Sequence, residues 1–245
     1  MKILVCITHV PDTTSKIKFV EGDTKLDVNG VQFVTGPYDD YALSRAVELK
    51  EQFGATLTVL NVGTADTEPT IRKALALGAD DAIRIDAEPT DAYFVAEQIA
   101  HICKQNNYDL VLMGRESIDF NGGQVHGIVG ELLGIPSLSP VMKLDIEGDT
   151  AKMAREIEGG KEYLEAKLPL VLGCQEPIAE WKIPNMRGIM SARSKPLQVI
   201  TPANPQELTK SLKFELPPAK GACKMINADD AATLIDLLKN EAKVL

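Results

Sequence analysis

Residues 114–127 read Gly-Arg-Glu-Ser-Ile-Asp-Phe-Asn-Gly-Gly-Gln-Val-His-Gly, and two of these glycines, Gly122 and Gly123, stand just before an apolar run with helical spacing. Glycine at a helix start lets a phosphate approach backbone N–H groups at the positive end of the helix dipole. The same residues also serve as a plain loop and helix start. Two more short loops have a suitable composition, Thr8-His9-Val10-Pro11-Asp12 and Asn61-Val62-Gly63-Thr64. Each of the three follows a short apolar run, and open α/β sheets bind ligands where the carboxyl ends of strands meet. Their coincidence favours a nucleotide crevice. No G-x-G-x-x-G, no G-x-x-x-x-G-K-[ST] and no Ser-Gly-Gly pyrophosphatase loop follows the first run, so a nucleotide would bind outside the commonest fingerprints.

Bond-making groups are sparse. The three histidines are His9, His101 and His126. His101 lies within a helical pattern, and His126 serves equally as a ligand contact or as a helix-surface residue. Glu116 and Asp119 flank the glycine loop and would repel a phosphate unless they bind ribose hydroxyls or basic residues. No nucleophile, base and orienting group come together in the sequence, so binding is favoured over catalysis. The cysteines at 6, 103, 174 and 223 form no CxxC or Cys/His cluster, which suggests neither a disulfide framework nor a zinc site.

The elements that must position these loops alternate. Strands are expected at residues 2–8, 55–62, 82–85 and 109–113, and helices at 39–53, 68–77, 91–104 and 124–133. Gly54 and Gly78 stand where C-terminal caps belong. This order predicts an α/β fold, Rossmann-like, with a parallel sheet. Residues 143–146, 151–157 and 162–174 read as extended segments separated by turns, an antiparallel addition to the sheet. The division expected is a nucleotide-binding domain over residues 1–174 and a C-terminal arm with a terminal helix over 175–245. The arm is proline-rich as far as residue 218 and is expected to cross another surface, with a final amphipathic helix at 228–239. Residues 181–206 contain Lys182, Arg187, Arg193 and Lys195 and no acid, as either a solvated basic loop or a docking surface.

The 245 residues carry 35 acidic against 26 basic side chains, a net charge of −9, which argues against general affinity for nucleic acid or anionic lipid. The longest apolar runs fall far short of the ~20 residues that span a bilayer. Together with the strand that begins directly after Met1, this points to a cytoplasmic compartment and no membrane insertion.

Taken in order, several segments resemble the electron transfer flavoprotein beta subunit. They are Ile3 to Val10 with Pro11-Asp12, Pro37-Tyr38-Asp39, Thr70-Ile71-Arg72-Lys73-Ala74-Leu75-Ala76-Leu77-Gly78-Ala79-Asp80, Asp109 to Gly114 and Ile118-Asp119. The most specific are Arg155-Glu156-Ile157-Glu158-Gly159-Gly160 and the stretch from Ile183 to Arg193. The resemblance implies a heterodimer with an alpha subunit that carries the redox-active FAD, while this subunit buries AMP without turning it over. Carried over by position, nucleotide contacts would come from Cys6, from Asn61, Val62 and Gly63, and from Asp119, Gly122, Gly123, Gln124 and Val125. Glu156 matches a glutamate that faces an arginine of the partner near the flavin; otherwise it is a surface carboxylate. Pro184, Met186, Arg187, Ile189, Met190 and Arg193 belong to the segment with which the family anchors to acyl-CoA dehydrogenases, Met186 being its apolar anchor. Electrons would then pass toward a quinone oxidoreductase.

The chain also departs from the family pattern. Gly123 and Val125 stand where many AMP-binding members have Asn and Thr, and Ser191 and Arg193 where many have lysines. Bifurcating members hold a second FAD in this subunit, often with an Asp-Thr-Ala-Gln-Val loop, whose end Gly122-Gly123-Gln124-Val125 shares. AMP is the favoured occupant and FAD the alternative. A stand-alone ATP-binding stress module and an ATP-consuming ligase or pyrophosphatase are the competing classes; the long arm speaks against the first and the missing Ser-Gly-Gly loop against the second.

Overall fold

The computed structural model describes residues 1–204 and 206–245; Pro205, within the proline-rich stretch, lies outside the described residues. The chain opens with β1 (Lys2–Cys6), β2 (His9–Pro11), β3 (Phe19–Val20), β4 (Lys25–Leu26), β5 (Phe33–Thr35), α1 (Pro37–Phe53) and β6 (Thr56–Val62). A 3-10 turn (Ala65–Thr67) leads to α2 (Glu68–Leu77), β7 (Asp81–Ile85), α3 (Ala92–Asn106), β8 (Leu110–Gly114) and α4 (Val125–Leu133). Then come β9 (Ser137–Glu147), β10 (Thr150–Ile157), β11 (Gly160–Lys167), β12 (Leu170–Cys174), α5 (Met186–Ala192), β13 (Leu197–Ile200) and α6 (Ala231–Asp236).

Among the described residues nine strands form one sheet in the order β11-β10-β9-β12-β8-β1-β6-β7-β13. Pairing is parallel from β9 through β13, and antiparallel only where β9, β10 and β11 meet. The apolar runs explain this, because a strand buried on both faces needs apolar residues at successive positions. In β1, Ile3 and Val5 join the core beneath α1 and α2, while Leu4 and Cys6 join the core beneath α3 and α4. In β11 exposure alternates residue by residue, as expected of a strand with one face in water.

Helix ends follow their local chemistry. Pro37 opens α1, and Gly54 closes it in the left-handed conformation at φ 63°, donating its N–H to the Lys50 carbonyl. Asp91 caps α3, its side chain accepting the Phe94 amide at 2.7 Å.

Three differences from the sequence reading have physical causes. The extended segment at 162–174 is two strands, for after Lys167 the alternation gives way to the fully buried Leu170–Cys174, which lies parallel between β8 and β9. The proline-rich stretch contains two elements left unassigned: α5 packs on α2, and β13 extends the main sheet beyond β7. The terminal helix is shorter than expected, spanning Ala231–Asp236 before a π-type turn, and none of its residues is buried. Leu234 and Ile235 are exposed on it.

Cys6, Cys103 and Cys174 are buried free thiols, and Cys223 is exposed. Among the described residues no helix is long and apolar enough to cross a membrane.

Candidate functional site

β1 stands between β6 and β8, and the chain leaves it for β6 on one side, then returns to β8 on the other. That reversal opens a crevice at the carboxyl ends of these strands. Asn61, near the end of β6, is buried at 1% exposure and donates from Nδ2 to the Ile7 carbonyl at 2.9 Å, fixing the ends of β6 and β1 together. Its Oδ1 is buried with no partner among the described residues. An acceptor in that condition costs free energy until something donates to it. Beside it, a Cβ on Gly63 would lie 2.5 Å from Thr67 Cγ2 and 2.7 Å from Asn61 Oδ1, so glycine is the residue that fits. The Gly63 carbonyl accepts Arg84 Nη1 at 2.9 Å, and the same nitrogen pairs with Asp86 at 2.5 Å.

The other wall is set by Asp39, in the first turn of α1. Its Oδ2 accepts the Thr8 amide at 2.8 Å and the Thr8 hydroxyl at 2.6 Å, and its Oδ1 accepts the Gly114 amide at 2.7 Å. Burial pushes the Asp39 carboxyl up to about 6, against the downward pull of these three donors.

From Gly114 the chain enters the glycine loop. Arg115 lies over the Tyr38 ring at 5.0 Å and bonds Glu116 through Nη2 at 2.8 Å. Asn121 and Gly123 take φ values of 50° and 58°. Asp119, Gly122, Gly123 and Gln124 are exposed and Val125 is half-buried at the start of α4. No side chain caps α4, so the amides of its first turn have no side-chain acceptor at the helix start. His126 packs inward, and burial lowers its pKa despite bonds to the Gly123 and Arg115 backbone.

The predicted contacts therefore divide. Asn61, Gly63 and the Gly122–Val125 loop lie at the same end of the sheet. The Cys6 thiol and the Val62 side chain turn into the core beneath α3, leaving backbone as their means of reaching a ligand. The histidines are dispersed: His9 bonds Thr70 at 2.8 Å and stacks on Phe33, while His101 pairs with Gln105 on the outer face of α3. Among the described residues no group of three potential metal ligands converges.

A second surface is built by the segment after β12. Asn185 caps α5 by accepting the Gly188 amide at 2.8 Å. Gly188 brings α5 so close to the Ala76 carbonyl that a Cβ there would overlap it. Arg72 Nη1 donates to the Ala192 and Lys195 carbonyls at 3.0 and 2.8 Å. Lys195 Nζ reciprocates to Leu75 and Ala79 at 2.8 and 2.6 Å. On this clamp Met186 and Met190 stand 73% and 69% exposed, with Ile189, Arg187 and Arg193 beside them. Pro184, Ile189 and Arg193 border a groove against Arg72 and Lys73 of α2. Large exposed apolar side chains on a pinned segment, rimmed by cations, suit a protein contact.

Glu156 lies apart from that surface. Its Oε2 accepts Gln175 Nε2 at 3.0 Å, and Gln175 Oε1 accepts Arg115 Nη1 at 3.0 Å. Asp39, Gln175 and the Arg72–Lys195 clamp are the residues sequence reasoning did not assign. Asp39 and Arg72 lie in segments that carried the family resemblance, but no spacing rule says what a side chain reaches across the fold.

The electron transfer flavoprotein domain profile matches residues 24–205. Beta subunits of electron transfer flavoprotein are similar over the full chain. That of Bacillus subtilis is 34% identical over 259 residues, with all of both chains covered. That of Syntrophomonas wolfei is 34% identical over all of this chain and 98% of its own. The mitochondrial subunit of Arabidopsis thaliana is 31% identical with both chains fully covered. The fold, the crevice and these full-length similarities together place the chain in the electron transfer flavoprotein beta subunit family.

Proposed function

We propose that this chain is the nucleotide-binding, non-catalytic half of a heterodimeric electron carrier. In this reading it assembles with an alpha subunit and serves transfer from acyl-CoA and related flavin dehydrogenases toward a quinone oxidoreductase. The redox chemistry is supplied by FAD held mainly by the alpha subunit. AMP sits in the crevice of this chain, and cytoplasmic placement belongs to the same reading.

The observation that supports the nucleotide assignment is Asn61 Oδ1, an acceptor left without a partner beside Gly63 at the carboxyl end of β6. The uncapped amides of the first turn of α4, with Gly122 and Gly123 before them, suit the phosphate. The Met186 surface suits a short-lived contact with an acyl-CoA dehydrogenase, since a small apolar anchor with a basic rim permits fast arrival and fast release.

The test is acid release of nucleotide from the chain co-purified with its alpha subunit, followed by chromatographic quantitation. One AMP and one FAD per heterodimer is the expected result. Two FAD and no AMP would overturn the AMP assignment in favour of a bifurcating carrier, the reading to which the Gly122-Gly123-Gln124-Val125 spelling lends support.

A further inference from the structure

We propose that Gln175 is a positioning residue for Glu156, holding its carboxylate in register for the partner subunit by tying it to Arg115 at the root of the glycine loop. The inference rests on the reading of Glu156 as the group that faces a partner cation.

Gln175 is 7% exposed, a buried polar side chain whose backbone is fixed where β12 ends: its amide donates to Val141 at 2.9 Å and its carbonyl accepts Ile178 at 3.1 Å. Its two side-chain partners impose opposite demands. Glu156 offers only acceptors and Arg115 only donors, and the carboxamide of Gln175 meets both, donating from Nε2 to one while accepting at Oε1 from the other. Arg115 cannot swing away, because Glu116 Oε1 takes its Nε and Nη2 at 3.2 and 2.8 Å while Tyr38 lies beneath the guanidinium at 5.0 Å. The main chain adds a further tie, with the Arg115 amide on the Cys174 carbonyl at 2.9 Å.

Glu156 has no such anchorage on its own hairpin. It is exposed near the end of β10, its neighbour Arg155 is occupied by Glu162 at 2.5 Å, and its cross-strand neighbour Lys161 forms no ion pair with it among the described residues. Left free, the side chain would lose rotamer freedom each time a partner cation engaged it. Prior fixing by Gln175 removes that cost.

The experiment uses the full alpha–beta heterodimer and measures the dissociation constant for the alpha subunit together with the visible absorption spectrum of the bound flavin. The variants are Glu156→Gln, Gln175→Glu, Gln175→Leu and the double variant Glu156→Gln/Gln175→Glu. Gln175→Glu keeps the side-chain shape and the Arg115 bond but sets a carboxylate against Glu156. Alone it should weaken association roughly five- to tenfold and shift the spectrum in the same sense as Glu156→Gln. In the Glu156→Gln background it should do neither, since position 156 then offers a donor. Equal effects of Gln175→Glu in both backgrounds, or no effect in either while Glu156→Gln is weakened, would overturn the positioning role. If Glu156→Gln itself changes nothing, the reading of Glu156 fails and the proposal goes with it. Loss of nucleotide and of cooperative melting in both Gln175 variants would assign the residue to the scaffold and likewise overturn it.

Discussion

Asp39 Oδ1 accepts the Gly114 amide at 2.7 Å across 75 residues of sequence. Because Oδ2 of the same carboxylate holds Thr8 through both its amide and its hydroxyl, one side chain sets the distance between the ends of β1 and β8. Replacing it with alanine leaves three donors without their acceptor, the buried Gly114 amide among them. Asp39→Ala should destabilise the fold by about 2–4 kcal/mol and lower nucleotide content, read by denaturant unfolding and by nucleotide release.

The same carboxyl gives a pH signature. Its value of about 6 in the folded protein lies above the ordinary 3.8, so the folded state binds this proton more tightly than the unfolded state. The stability it contributes is present in full below pH ~4 and is lost as pH rises through ~6. Comparing wild type with Asp39→Asn by thermal melts isolates it: the wild-type advantage should grow as pH falls from 7 to 4, by on the order of 2–3 kcal/mol. A constant difference across that range would reject the raised value.

Glycines at the two ends of the loop should behave oppositely. A Cβ at Gly114 would sit 2.7 Å from Asp39 Oδ1 and 2.7 Å from Tyr38 Cβ, whereas one at Gly122 meets nothing within 4 Å. Gly114→Ala is expected to cost about 1–3 kcal/mol, and Gly122→Ala to stay within about 0.5 kcal/mol of wild type. Chemical denaturation of both variants checks the contrast.

At the surface proposed for docking, Met186→Glu is expected to slow reduction by an acyl-CoA dehydrogenase with no change in nucleotide content or melting temperature, because the side chain is 73% exposed. Stopped-flow rates unaltered by the substitution would reject the anchor.

Arg72→Ala releases two carbonyls, those of Ala192 and Lys195, from the clamp on α2. The expected outcome is faster amide exchange in α5 and a slower reaction with the dehydrogenase, while nucleotide stays bound. Hydrogen exchange resolved by segment would read the first effect directly.

The parts of this fold legible in the sequence are those whose signal is local. β1, β6, β7 and β8 declare themselves by apolar runs, and α1 to α4 by helical spacing, with α1, α2 and α4 closing on glycine, so the crevice loops are legible in the sequence alone. β12 was legible in principle, since alternation stops at Leu168, but an extended run across Pro169 reads as one strand unless burial on both faces is considered. β13 could not be found this way: it has four residues, its middle two exposed, and it exists because β7 offers an edge. The loop holding Asn61 and Gly63 was legible as the end of a strand, while their part as nucleotide contacts came from the family resemblance. The Arg115–Gln175–Glu156 chain did not, because each residue is unremarkable alone and the pattern exists only after β8, β10 and β12 are placed.

The placement of the cysteines gives the carrier a simple chemical temperament. Burial raises the Cys6, Cys103 and Cys174 thiols, Cys103 to about 12, so none presents a thiolate at neutral pH. A maleimide dye should therefore enter at Cys223 alone among the cysteines. The C-terminal segment thus comes with its own attachment point, from which a fluorophore can report the arrival of a second chain without any engineered residue.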